Sequence, residues 1–139
     1  MASKKIYIDA TVLYSFIDRA DVNHTISVKI IEQLSLQGTL LFTSVQAIQD
    51  TYSTISHQLG TTISQEFLQA MLESNIEIIY PQKADLNSAF KLIKFNPNKQ
   101  VTLKESIIAT IMQKRGITQI LIFTYWNNLL GSVSYLSRT

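Results

Sequence analysis

An α/β domain of three layers, α/β/α, built around a mostly parallel five-stranded sheet is the architecture this chain predicts. Two patterns carry the prediction. Short runs rich in β-branched, aromatic and other apolar residues recur at Ile6–Ile8, Leu40–Thr43, Ile76–Tyr80, Ile120–Phe123 and Val133–Leu136. Most of the intervals between them hold segments whose apolar residues return every three or four positions, which is the helical period. Strands separated by helices require crossover connections, and crossovers cover both faces of a parallel sheet. A third observation sets the extent. No linker, low-complexity tract or repeat breaks the 139 residues, so 1–139 reads as one domain. A chain of that length buries roughly two-thirds of its unfolded surface around a single core.

Each element has its own local reason. Lys5-Ile6-Tyr7-Ile8 is a buried strand that stops at Asp9, and a hydroxyl, Thr11, follows two residues later. Val12, Leu13, Phe16 and Ile17 then form a short helical face. Asp18, Asp21 and Asn23 supply turn and capping chemistry before a helix from about Thr25, with Ile26, Ile30 and Leu34 on one side and Gly38 at its stop. Leu40–Thr43 is the second strand. Ser44 is placed to cap a helix striped by Val45, Ile48, Tyr52, Ile55 and Leu59, which Gly60 ends.

A further helix carries Ile63, Phe67, Leu68 and Met71, and the strand Ile76–Tyr80 is stopped by Pro81. Leu86, Ala89, Phe90 and Ile93 recur at helical spacing. Phe95-Asn96-Pro97-Asn98 is a loop, because proline lacks a donor and biases its predecessor away from helix. A helix over Leu103–Lys114 precedes the last long strand, Ile120–Phe123.

Composition excludes several chemistries. Without cysteine there are no disulfides, thiolate metal sites or thiol nucleophiles. The four glycines are scattered singly, so no phosphate-cradling glycine loop is formed. His24 and His57 have no partner at ligand spacing, and no Gly-x-Ser-x-Gly elbow occurs. No apolar run approaches the roughly 18 residues of a membrane span, and Ile6–Ile8 is too short for a secretory signal core, so the expectation is a cytoplasmic protein with no membrane association. Net charge is +2, yet Lys83, Lys91, Lys94, Lys99 and Lys104 cluster against one acid, Asp85. That stripe suits either a solvated helix face or a phosphate backbone.

Carboxylates remain. Asp9 ends the first strand, Asp50 lies in the second turn of the helix after the second strand, and Glu105 lies in the first turn of the helix after the Asn96-Pro97-Asn98 loop. In a parallel sheet, helices that follow strands begin at the carboxyl edge, where α/β ligands bind. Acids converging there would suit a hard divalent cation. The structural alternatives are equally specific. Thr102 and Glu105 fit a capping box, and Asp50 falls nearly opposite the apolar stripe of its helix, as a solvated acid does.

These residues resemble a known family. The segment Ile6-Tyr7-Ile8-Asp9-Ala10-Thr11-Val12-Leu13-Tyr14 with Asp18, Asp21 and His24, then Thr43-Ser44 through Asp50-Thr51, then Leu103-Lys104-Glu105 through Arg115-Gly116-Ile117, is similar in order and spacing to PIN domains. That family includes the VapC-type toxin ribonucleases, and the resemblance spans nearly the whole chain. It implies a PIN-like fold and a metal-dependent ribonuclease that hydrolyses RNA phosphodiester bonds. It also implies Asp9, Asp50 and Glu105 as catalytic residues and ligands of Mg²⁺ (or Mn²⁺), with Thr11 as a supporting hydroxyl. A small antitoxin and a homodimer are the implied partners beside RNA.

The departures are equally definite. Asp50 stands where the family has Glu, Glu105 where it has Asp, and Thr124 falls where a fourth acid belongs. The alternative reading is therefore a catalytically impaired or inactive PIN-like module that binds RNA or a protein. Tyr125 and Trp126 are candidates for base stacking, and ordinary packing is the competing role for Trp126.

Overall fold

The computed structural model describes residues 3–136. β1 (Lys5–Ile8) runs through the centre of a five-stranded sheet, with β2 (Leu40–Ser44) and then β3 (Glu77–Ile79) on one side. β4 (Gln119–Leu121) and β5 (Val133–Ser134) lie on the other. Every pairing is parallel, so the sheet is wholly rather than mostly parallel, and Tyr7 stands in register between Phe42 and Ile120.

Alternation along β1 feeds two cores. Ile6 and Ile8 point into one, with Val12 and Leu13 of α1 (Ala10–Ile17), Leu34 of α2 (His24–Leu36), Ile48 and Ile55 of α3 (Val45–Leu59), and Phe67 and Met71 of α4 (Thr61–Glu73). Tyr7 points into the other, with Phe42, Ile79, Ile120 and the buried stripe of α6 (Leu103–Lys114), Ile108, Ile111 and Met112. Because both faces are covered, β1 is an unbroken apolar run rather than an alternating one. Trp126 belongs to this second core; its indole N–H donates to Ser132, so packing is its role and Tyr125 alone is exposed.

Two details orient the site. β4 ends at Leu121, short of the expected Phe123, because the Phe123 N–H leaves the ladder and donates to the Thr11 hydroxyl at 3.2 Å. The C-terminus of α6 lies at the amino edge, where Lys5 Nζ donates to the Arg115 carbonyl at 2.9 Å. Its head therefore stands at the carboxyl edge. Lys114, near the end of α6, bonds Asp85 near the start of α5 (Lys83–Lys94) at 2.7 Å. The two helices consequently run antiparallel, and the loop joining them lies beside the head of α6. Among the described residues no helix is long and apolar enough to cross a membrane.

Candidate functional site

Asp9 is where β1 becomes α1. Its extended backbone ends the strand and its side chain caps the helix, Oδ2 accepting from the Thr11 N–H at 2.9 Å and the Thr11 hydroxyl at 2.8 Å. The residue is buried. Its own N–H donates to the Leu121 carbonyl, which fixes it against the end of β4. Thr11 donates to Asp9 and accepts from Phe123, so its hydroxyl ties the ends of β1 and β4 together.

Asp50 arrives from α3. Ser44 caps that helix, its hydroxyl accepting from the Ala47 N–H and contacting the Tyr7 phenol at 2.8 Å. Burial drives the Tyr7 phenol well above the ordinary range, so it stays neutral. Asp50 is half exposed and ion-paired with Lys104 Nζ at 2.9 Å. Partial burial opposes the Lys104 charge, but the bond to Asp50 and the fields of Asp9 and Asp50 outweigh it and raise its pKa above the ordinary lysine value. A lysine ammonium therefore stands in the field of the two acids.

Glu105 is committed elsewhere. Its backbone N–H donates to the Thr102 hydroxyl at 3.0 Å, completing the capping box that the sequence suggested. Its carboxylate also accepts from Asn127 Nδ2 at 2.7 Å, which holds the 122–128 segment against the head of α6. Thr124 lines the cleft and offers no carboxylate. The cleft itself is about 650 Å³ and is lined by Thr11, Tyr14, Asp21, Asp50, Lys104 and Thr124, among others.

Asp21 serves the turn that the sequence predicts, Oδ2 accepting from the Ser15 hydroxyl at 2.8 Å and the Asn23 N–H at 2.9 Å. His24 Nδ1 meets the Ser15 carbonyl, a structural bond. Lys104 is the cleft residue whose pairing with Asp50 the sequence does not reveal. The available signal was its position one residue before Glu105 at a helix head, which names no partner.

The fit to a divalent ion follows from these bonds. Asp50 is paired with Lys104, whose ammonium also feels the field of Asp9; Glu105 bonds Asn127, and Thr124 has no charge. Among the described residues no three Asp, Glu or His side chains gather closely enough to hold a metal. As arranged, these side chains fit an ammonium rather than a divalent cation.

This parallel sheet, with Asp9 closing its central strand, is a fold that the chain shares with solved toxin structures. The chain has a VapC-type PIN fold, as three solved structures make plain. VapC20 of Mycobacterium tuberculosis, a sarcin–ricin-loop-cleaving toxin, superposes with a TM-score of 0.72 at 12% identity, over 86% of this chain and 89% of that one. VapBC2 of Rickettsia felis, bound to a DNA fragment from its promoter, gives 0.73 at 11% identity, over 94% and 96%. FitAcB of Neisseria gonorrhoeae gives 0.59 at 13% identity, over 83% and 84%. No family sequence profile and no characterised protein sequence matches the chain.

Proposed function

We propose that this protein is a PIN-fold module of the toxin–antitoxin type that binds single-stranded RNA at its carboxyl edge and is impaired in metal-dependent cleavage. The observation that carries this reading is the disposition of the acids, with Asp50 neutralised by Lys104 and Glu105 engaged by Thr102 and Asn127. Support for RNA comes from the antiparallel α5–α6 pair, which sets Lys94, Lys99 and Lys104 around one rim. Neither Lys94 nor Lys99 is in an ion pair among the described residues. Phe95 and Tyr125 are 74% and 80% exposed near that rim and suit base stacking.

A small antitoxin is the protein partner that fits. A second, apolar groove of about 440 Å³, lined by Leu13, Ile31, Leu41, Phe67, Met71 and Ile76 among others, suits the apolar face of a partner helix. An antitoxin that still co-purifies after Ala70→Arg, a change in the lining of that groove, would remove this support. The homodimer stays a proposal from kinship of fold, to be checked by sedimentation.

The test incubates purified protein with single-stranded RNA in Mg²⁺, Mn²⁺ or EDTA, beside an Asp9→Asn variant. The expected result is RNA bound in every condition with no cleavage above the EDTA control. Metal-dependent cleavage that disappears in Asp9→Asn would instead establish a Mg²⁺- or Mn²⁺-dependent ribonuclease acting through Asp9, Asp50 and Glu105, with Thr11 and Thr124 at its edge. The placement of Asp9 at the end of β1 is what favours that second reading.

A further inference from the structure

We infer that Lys104 is a tethered cation that stands in for a divalent ion at Asp50, on the carboxyl edge that Asp9 also occupies, so that removing its ammonium opens a latent metal site. The inference deepens the impaired-cleavage reading and rests on it. Three observations lead here. Lys104 Nζ lies 2.9 Å from Asp50 Oδ2 although its side chain is half exposed and free to extend into solvent. The lysine occupies the first turn of α6, where a cation opposes the positive end of the helix dipole. Its position is therefore unexplained by helix stability and explained by the acids it faces.

The third observation is the environment of those acids. Asp9 is buried and both of its side-chain bonds fall on Oδ2. Among the described residues Oδ1 accepts no hydrogen bond. An ammonium offers three donors and one charge; a divalent ion needs carboxylates and waters at about 2.1 Å. The two compete for the same oxygens, and like charges exclude each other at that range. The lysine holds its place by being covalently attached, at an effective concentration no dissolved cation matches.

Mn²⁺ titrations followed by calorimetry and by the loss of free-ion EPR signal test this on wild type, Lys104→Ala, Lys104→Arg and Lys104→Ala/Asp50→Asn. Circular dichroism melting confirms that each is folded. Lys104→Ala should bind one Mn²⁺ at least about tenfold more tightly than wild type. Lys104→Arg should remain as weak as wild type, and adding Asp50→Asn should erase the gain. Equal Mn²⁺ affinity in wild type and Lys104→Ala, including no binding by either, overturns the inference; so does Lys104→Arg behaving like Lys104→Ala. If wild type neither cleaves RNA nor binds Mn²⁺ and Lys104→Ala gains nothing, this inference fails alone. RNA cleavage by wild type in Mn²⁺ defeats the impaired-cleavage reading itself.

Discussion

Tyr14 donates its phenolic hydrogen to Asp18 Oδ2 at 2.6 Å across one turn of α1, at the wall of the cleft. That bond, with lesser help from desolvation and from the charges of Asp18 and Asp21, pushes the phenol from 10.0 up to about 12. The neutral phenol is the form the fold favours. Its contribution to stability is therefore complete below pH 10 and lost as pH rises through about 12. A phenolate absorbance titration should show one late-titrating tyrosine in this range, and Tyr14→Phe should remove that step. A Tyr14 that titrates with the exposed tyrosines would refute the assignment. Thr11 shows the same residue-scale economy, since one hydroxyl serves both Asp9 and the Phe123 N–H.

At the scale of elements, the α5–α6 pair depends on Asp85. Its carboxylate accepts from the Gln82 N–H at 2.7 Å and from Lys114 at 2.7 Å, joining the start of one helix to the end of the next. Desolvation pushes its pKa upward, but the Gln82 bond and the Lys114 charge prevail and lower it. A lowered folded value means that the stabilisation is present above the unfolded pKa near 3.8 and is lost as pH falls through the folded one. Asp85→Ala should cost about 2 kcal/mol in urea unfolding at neutral pH. The wild-type advantage should shrink once pH falls below 3.8 and vanish as it passes through the lowered folded value. An unchanged midpoint would show that the helix pair is held by its apolar contacts alone. Glu105 is the counterpart at the other end, where capping and Asn127 hold the head of α6 at the rim.

On the scale of the whole molecule, the consequence of that antiparallel pair is electrostatic. A stripe of lysines spread along the sequence folds back so that Lys94 at the end of α5, Lys99 in the joining loop and Lys104 at the head of α6 share one end of the hairpin, where Lys104 lines the cleft. If these three meet RNA phosphates, the logarithm of the binding constant should fall against the logarithm of salt with a slope of about −2. Lys94→Ala/Lys99→Ala should reduce that slope to about −0.7. A slope unaffected by the double substitution would place RNA elsewhere on the surface.

The sequence by itself determined the alternation of strands and helices, the parallel sheet, the place of Asp9 at the end of β1 and the capping box at Glu105. Each of these is written in local signals: apolar periodicity, turn chemistry and caps, which act within a few residues. Even the end of β4 escaped this reading, because the Phe123 N–H leaves the ladder for a hydroxyl 112 residues away in sequence. Only the tertiary structure decided that Asp50 meets Lys104 and that Glu105 turns to Asn127. Those pairings depend on how α3, α6 and the 122–128 segment pack against one another. A side chain's position around its own helix does not specify which charge from a distant segment will face it.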